Sequence, residues 1–395
     1  MKKANGKNII KRIFSIFFGL IITFFLLIII EEYLFHNYYN NIQPMEILLI
    51  CIMYFSGILF LVLWNINKSK LIYLLFIAPV VCIGFGIGLR EYRNYIYSIP
   101  RVYEGLNLYF YEPFNKDRNR LARIDEISNY KLTNNLPILD GATAFYPIYA
   151  AFVQEVYPEN EYRHWRSPVF CRRTANAYIN LLEGNVDIIF CLEPSEAQLQ
   201  LFIDNNKNLK FVPIGREAFV FFVNINNPVS NLNAEDIQGI YSGKITNWRQ
   251  LGGRNNRILA YQRPKNSGSQ TILEKIMNNT PIINPLLEDI MEDMEKIINQ
   301  VAVYRNFNNA IGYSFLMYTT EMVGNDQIKI LSINNIYPST ETIQDNSYPF
   351  IVNIYAIYNN TEEKNENIEP FLEWILSEQG QELVSKTGYV PIRNK

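Results

Sequence analysis

Three short polar segments of the sequence join hydroxyl-bearing residues to a predicted helix start, and this combination can bind a small anion. The segments are residues 140–145, 171–175 and 263–271. At a helix start the first backbone N–H groups have no partner within the helix, and the helix dipole is positive there. Ser and Thr hydroxyl groups add donors, and Gly268 lets the backbone approach a ligand closely. The segments therefore predict an oxyanion site assembled from separate parts of the chain.

Arg263 strengthens this prediction, because it adds a full positive charge and a planar set of donors four residues before Ser267-Gly268-Ser269. Taken singly, a Ser or Thr before a helix is more often an ordinary N-cap, and an arginine is more often a surface residue. The three segments together with the arginine favour the anion site over these interpretations. A nucleotide-hydrolysing P-loop is excluded, since the sequence has no G-x-x-x-x-G-K-[ST] and Lys265 precedes the glycine.

The residue counts argue against most enzyme classes and against nucleic-acid binding. The chain has only two histidines, His36 and His164, and neither lies in a recognisable catalytic or metal-binding motif. The formal net charge of -2 lacks the basic excess that nucleic-acid binding requires. Cys51 and Cys82 fall within apolar segments, so neither a disulfide framework nor a zinc ribbon is indicated. We expect a binding protein without a cofactor or a metal.

The polar segments are placed by an α/β pattern that runs from about residue 134 to 392. Strands are predicted at 137–140, 167–171 and 186–191, and helices at 143–157, 175–183 and 371–386. Alternating strands and helices predict parallel units, in which ligands bind at the carboxyl ends of the strands. Residues 219–223 form a continuous apolar run, which predicts a strand buried on both faces. Gly388 and Pro391 are predicted to end the last helix.

The first 89 residues are predicted to lie in a membrane. Three apolar runs contain no charged residue: 13–30, 47–64 and 71–89. Each approaches the roughly 20 residues that a helix needs to cross the hydrocarbon layer. Basic residues in the tail 1–12 and Lys68 and Lys70 in the second loop predict that both are cytoplasmic and that the chain after Leu89 is outside. The alternative for the second and third runs is a buried hairpin of a globular core. Residues 90–133 are predicted to form a stalk.

In the soluble part the sequence resembles the phosphate-binding proteins of phosphate ABC transporters, which are PstS-like type II periplasmic binding proteins. The resemblance covers about residues 134–393. It rests on DGATAFYP from Asp140, AYINLLEGNVDIIF from Ala177, GREAFVFFVNINNPVSNL from Gly215, IYSGKITNW from Ile240, QRPKNSGSQT from Gln262, AIGYSF from Ala310 and SEQGQELVSKTGYVPI from Ser377. IYSGKITNW together with Arg-x-x-x-Ser-Gly-Ser is quite specific for this family.

The resemblance implies a fold of two α/β lobes that close over the ligand like a flytrap. Lobe one would hold about 134–215 and 316–393, and lobe two about 225–310. The first two polar segments would then lie in lobe one and the third in lobe two. The implied ligand contacts are Thr143, the Ala144 backbone N–H, Thr174, Arg263, Ser267, Gly268 and Ser269. In the family's sheet order, Cys171 and Cys191 end two strands that flank a third, so both are expected to be free thiols.

For one ligand-binding position of the family, this sequence offers two candidate residues. The family has an Asp after its third strand, which accepts the proton of hydrogen phosphate. That position falls on Leu192, with Glu193 beside it. If Glu193 reaches the site, phosphate should be strongly preferred; if Leu192 replaces the acid, sulfate should compete. A further alternative leaves Glu193 in solvent.

Together these features predict a membrane-anchored, extracytoplasmic solute-binding protein, multi-pass in the cell membrane, preceded by three transmembrane helices. It would capture inorganic phosphate or a related oxyanion and deliver it to an ABC transporter permease. The alternative is an anion sensor or scaffold that signals through its membrane helices to a partner. An anchored phosphatase ranks third, because neither a metal site nor an activated nucleophile is evident in the sequence.

Overall fold

The computed structural model describes residues 107–166, 168–284, 307–360 and 363–392, together with single residues between 88 and 99. The chain divides into two units, Met1–Ile99 and Pro100–Lys395, and all strands and helices named here lie in the second. The predicted cytoplasmic tail and membrane helices lie outside the described residues, apart from Gly88. Within the part of the chain that is described, no helix is both long and apolar enough to cross a membrane.

Helices and strands alternate along the first part of the domain, as the sequence predicts. The helices are α1 (Tyr146–Val156), α2 (Arg173–Glu183), α3 (Glu196–Asp204), α4 (Ala234–Tyr241), α5 (Gly268–Met277), α6 (Thr340–Gln344), α7 (Ile368–Ile375) and α8 (Glu378–Lys386). The strands are β1 (Leu139–Gly141), β2 (Trp165–Arg166), β3 (Val169–Phe170), β4 (Ile188–Cys191), β5 (Leu209–Asn224), β6 (Asn231–Leu232), β7 (Leu259–Ala260), β8 (Ala310–Phe315), β9 (Ile328–Ile330), β10 (Ser332–Ile333) and β11 (Ile351–Asn359). Short 3-10 helices span Leu108–Tyr111, Thr143–Phe145 and Trp248–Leu251, and a π-helix spans Tyr318–Val323.

Nine strands of the described residues form one sheet, which has two halves. In the first half β1 is parallel to β3 and β4, β2 is antiparallel to β3, and β11 is antiparallel to β4 and to the first part of β5. In the second half the last part of β5 is antiparallel to β8 and β9, and β8 is parallel to β7. Strands β6 and β10 form a separate parallel pair.

Strand β5 belongs to both halves, because its partner changes along its length. Residues 209–218 pair mainly with β11, and residues 219–223 pair with β8. Each residue of 219–223 is at most 1% exposed, so the predicted strand buried on both faces is confirmed. Strands β9 and β10 lie within the range 316–393 assigned to lobe one, yet they pair with β5 and β6 beside the second half.

The predicted helix over 371–386 is wrong in one respect, because the structure has two helices there. The chain leaves α7 at Ile375, and Ser377 caps α8 by accepting the Gly380 N–H at 3.4 Å. A Cβ on Gly380 would overlap the Ile375 carbonyl oxygen, so the turn between the helices requires glycine. The predicted end is confirmed, since Gly388 follows α8 with φ of +97°.

Residues 107–133, here called the leading segment, pack against α1 and the chain that follows it, although the sequence predicts a stalk there. The buried apolar side chains of the leading segment are Tyr111, Leu121, Ile124 and Leu132. The buried Glu112 carboxylate accepts from Arg163 Nη1 at 2.8 Å and from the His164 backbone N–H at 3.1 Å. Burial raises the pKa of Glu112, but the hydrogen bond with the His164 ring at 2.7 Å and these two donors lower it below its ordinary value. The packed domain therefore begins before residue 134.

Candidate anion-binding site

The first polar segment begins at the carboxyl end of β1, close to β4. A Cβ on Gly141 would lie 2.6 Å from the Phe190 carbonyl oxygen, so this close approach of two strands requires glycine. Thr143 starts a single 3-10 turn that has no side-chain cap. The Ala144 carbonyl accepts from Tyr389 Oη at 2.6 Å, which helps to fix the turn.

Asp140 holds the first and second segments together. Its buried carboxylate accepts the Gly141 and Arg172 backbone N–H groups through Oδ1, both at 2.8 Å. Its Oδ2 accepts the Asn180 side-chain amide at 2.8 Å. Burial raises the pKa of Asp140, and these three donors oppose the shift. Asp140 thus positions the loops around the predicted site through contacts within the protein.

The second segment starts α2 and carries Arg173, an arginine that is not among the residues predicted to contact the ligand. Arg173 is half-buried, and its φ of +69° is a left-handed conformation that costs a non-glycine residue energy. Burial lowers the pKa of Arg173, and the nearby charge of Arg263 lowers it further. Its neighbour Arg172 is exposed, with its guanidinium 3.7 Å from the Phe170 ring centre. The sequence shows two adjacent arginines and gives no sign of which one turns inward.

The third segment is tied to α5 and β8 by its backbone. The Arg263 N–H donates to Gln270 Oε1 at 3.0 Å and to Tyr313 Oη at 2.8 Å. Ser267 is the N-cap of α5, and its Oγ accepts the Gln270 N–H at 3.3 Å. Arg263 is half-buried, and its Nε atom is buried. These contacts fix Arg263 relative to the start of α5.

The second and third segments meet where α5 begins. Helix α2 packs on β1 and β4 of the first half of the sheet, and α5 packs on β8 of the second half. A Cβ on Gly268 would lie 3.3 Å from Thr174 Oγ1 and 3.5 Å from Leu192 Cδ1. Thr174 and Ser269 are 7% and 8% exposed, so a hydroxyl-bearing residue of each helix is buried at this point. The structure therefore brings the predicted residues of α2 and α5 together. Thr143 belongs to the loop that Asp140 ties to the start of α2.

Leu192 and Glu193 follow β4 and lie in different surroundings. Leu192 is 2% exposed, beside Gly268, and its carbonyl accepts from Tyr178 Oη at 2.6 Å. The Glu193 side chain is 51% exposed and pairs with Lys275 of α5. The Lys275 ammonium group lowers the pKa of Glu193. Of Glu193 and the seven implied ligand contacts, only Glu193 is thus exposed.

Polar contacts also join the two halves around the meeting point. Ser195 Oγ donates to Asn266 Oδ1 at 2.8 Å, and the Lys275–Glu193 pair lies alongside. These contacts link the N-cap of α3 to the loop before α5. The halves are in direct contact at the polar segments.

Both described cysteines are free thiols, which confirms the prediction for Cys171 and Cys191. Cys171 follows β3, Cys191 is the last residue of β4, and β1 lies between these two strands. Burial, with the nearby Asp140 carboxylate, raises the pKa of Cys171 to about 12. A thiol that stays protonated is a poor nucleophile, so Cys171 is not suited to covalent catalysis.

The groups assembled here are hydrogen-bond donors and positive charges. Thr174 and Ser269 supply hydroxyl groups, Arg263 supplies a guanidinium, and Arg173 lies near enough for the two charges to interact. No group of three His, Cys, Asp or Glu side chains that could hold a metal occurs among the residues described. This arrangement is suited to holding an oxyanion through charge-assisted hydrogen bonds.

Comparison with known proteins gives one family match and several similar proteins. Residues 138–379, more than half of the chain, match a family described as the PBP superfamily domain. The phosphate-binding protein PstS of Bacillus subtilis (strain 168) is 24% identical over 284 residues, covering 70% of this chain and 88% of that protein. The phosphate-binding protein PstS of Borreliella burgdorferi is 26% identical over 180 residues, covering 45% of this chain and 64% of that protein. A solved ABC-type phosphate transport receptor from Vibrio cholerae is 20% identical, with a TM-score of 0.43, and the match covers 65% of this chain and 99% of that one.

Proposed function

The chain belongs to the PBP superfamily, and from this membership we propose that it is an extracytoplasmic solute-binding protein that captures inorganic phosphate or a related oxyanion for an ABC transporter. The similarity to two proteins named phosphate-binding protein PstS supports phosphate as the ligand. The protein is a binding protein and not an enzyme. Its task is to hold the anion and release it to a transporter permease.

The observation that carries this proposal is the contact between Thr174 and Gly268, which come from opposite halves of the sheet. An anion at this contact would be within reach of donors from both halves, so that binding would favour the closed arrangement. We assign the ligand contacts to Thr143, the Ala144 backbone N–H, Thr174, Arg263, Ser267, Gly268 and Ser269. Binding through donors of both halves couples ligand capture to closure.

Arg263 carries the main charge of the proposed site. Its half-buried position lowers the local dielectric, which strengthens a charge-assisted contact with an oxyanion. Its backbone is held by Gln270 and Tyr313, so the side chain starts from a fixed point. A pre-positioned guanidinium loses less conformational entropy when the ligand binds.

We propose further that the apolar runs 13–30, 47–64 and 71–89 anchor the protein in the cell membrane, with the binding domain outside. The support is the absence of charge in these runs and the basic tail before them. An anchor of this kind would keep the binding protein beside a membrane-embedded permease.

Calorimetry on the full chain in detergent tests the function and the role of Arg263 together. We expect the wild type to bind inorganic phosphate. Arg263→Ala should weaken binding by about 1.5–3 kcal/mol or more, because a charge-assisted contact is removed from a partly desolvated site. Arg249→Ala, an exposed arginine of the same half, is the matched control and should keep the wild-type affinity.

Two results would contradict these expectations in different ways. Absence of phosphate binding by a folded wild type would refute the proposed function. Unchanged affinity of a folded Arg263→Ala variant would leave phosphate binding intact and remove Arg263 from the site.

A further inference from the structure

We propose that the site selects doubly charged tetrahedral oxyanions by their charge, with Arg173 as a second cationic residue beside Arg263, and that it binds sulfate about as well as phosphate. This inference rests on the proposed function, because it concerns the same site. It assigns a role to Arg173 and names the class of ligand as dianionic tetrahedral oxyanions.

The first support is the apolar surface at the meeting point of the two halves. Leu192 is buried there, with Cδ1 3.5 Å from the position of a Cβ on Gly268. Its backbone is fixed through the carbonyl bond from Tyr178 Oη. A leucine side chain cannot accept a hydrogen bond from a protonated ligand oxygen. This side of the site therefore gives a protonated anion no advantage over an unprotonated one.

The second support is that the neighbouring carboxylates are engaged elsewhere. Glu193 is half-exposed and paired with Lys275. Asp140 accepts three hydrogen bonds from Gly141, Arg172 and Asn180. A carboxylate facing the ligand would repel an anion that has no proton to offer, and neither of these two carboxylates has that role.

The third support is the second arginine. Arg173 lies one residue before Thr174, which contacts Gly268. The charge of Arg173 interacts with that of Arg263. Within the described residues, no carboxylate lies at ion-pair distance from Arg173. Two neighbouring guanidinium groups repel each other, and a bound dianion would relieve the repulsion better than a monoanion. The charge of the ligand is thus what this pair can recognise.

Calorimetry of the full chain in detergent, in a chloride buffer free of both anions, gives the primary test. We expect dissociation constants for phosphate and sulfate within about tenfold of each other, a difference of less than about 1.4 kcal/mol. Phosphate binding with sulfate more than about tenfold weaker would overturn the inference and leave the proposed function standing. Failure to bind either anion would instead count against the proposed function itself.

A pair of substitutions at Leu192 tests the apolar surface. Leu192→Asp adds a carboxylate that can accept a ligand proton, so we expect the ratio of sulfate to phosphate dissociation constants to rise by at least about tenfold. Leu192→Asn has a similar size without the charge, and it should change the ratio much less. An equal ratio in the wild type and both variants would show that residue 192 does not face the ligand.

A matched pair of adjacent arginines tests the charge. Arg173→Gln should weaken phosphate and sulfate alike by about 10- to 100-fold, as expected for the loss of one charge-assisted contact. Arg172→Gln removes the exposed neighbour and should leave both affinities unchanged. Wild-type affinities in Arg173→Gln, or an equal loss in both variants, would overturn the assignment of Arg173.

Discussion

Glu217 is a carboxyl group buried where β5 changes its partner from β11 to β8. Its Oε1 accepts the Ala218 N–H at 2.8 Å, and its Oε2 accepts the Met317 N–H at 3.2 Å. Burial raises the pKa of Glu217 to about 8, and the two backbone donors oppose this shift. The residue therefore joins β5 to the chain after β8, at the boundary between the halves, and keeps its proton in neutral solution.

We expect Glu217 to make the free energy of unfolding fall as the pH rises. Its folded-state pKa of about 8 exceeds the ordinary value of 4.5, so the unfolded chain releases this proton first. The stabilising contribution is complete below the unfolded-state pKa and is lost as the pH rises through the folded-state pKa. Glu217→Gln should remove part of this fall between about pH 5 and pH 8. Urea unfolding across that range measures the slope.

The control for Glu217 is Glu159→Gln, which changes an exposed carboxyl group and should keep the wild-type slope. Equal slopes in the wild type and both variants would mean that Glu217 does not titrate as its burial indicates.

The sequence predicts which segments form the candidate site better than it predicts which single residues face the ligand. The segments holding Thr174 and Arg263 follow from residue types, and the structure brings them together. The choice between Leu192 and Glu193 could not be made from the sequence, since consecutive residues after a strand point in different directions. Arg173 was missed for a related reason: its inward position depends on a left-handed backbone conformation that its sequence does not signal.

At the scale of elements, two glycines near helix starts have different tasks. Gly268 begins α5 and contacts Thr174 of α2, in the other half of the sheet. Gly380 lies in the first turn of α8 and contacts the end of α7, in its own half. One glycine lies between helices that pack on different halves of the sheet, and the other lies between two consecutive helices.

We expect the two glycine-to-alanine substitutions to separate affinity from stability. Gly268→Ala should weaken phosphate binding, because its Cβ would press on Thr174 in the closed arrangement, and should change the unfolding free energy little. Gly380→Ala should lower the unfolding free energy by about 1–3 kcal/mol or more through overpacking, with little change in affinity. Calorimetry and urea unfolding of both variants measure the two quantities. Equal changes in phosphate affinity and in unfolding free energy for the two variants would contradict this expectation.

The break between α7 and α8 shows why element boundaries were harder to predict than their existence. Apolar residues recur at helical spacing on both sides of Ser377, so the sequence predicts a continuous helix. The break depends on the close approach of Gly380 to the Ile375 carbonyl, which is a packing effect. By contrast, the consecutive apolar residues 219–223 are by themselves typical of a strand buried on both faces, and this strand was predicted correctly.

At the scale of the whole molecule, the proposed membrane topology can be tested by cysteine labelling in intact cells. Gln200→Cys, on an exposed position of α3, should react with an impermeant thiol reagent. Asn5→Cys should react only after the membrane is permeabilised, because the basic tail is expected inside. The wild-type chain gives the background from its native cysteines. Labelling in the opposite pattern would refute the topology.

The leading segment has a mechanical consequence for such a protein. It is fastened to α1 by hydrogen bonds from the Phe114 N–H to Gln154 and from the Leu132 N–H to the Val156 carbonyl, and to α8 by one from the Asn129 N–H to Gln379. These two helices are therefore tied to the chain at residue 107, so any displacement of α5 relative to α1 and α8 would also be a displacement relative to residue 107.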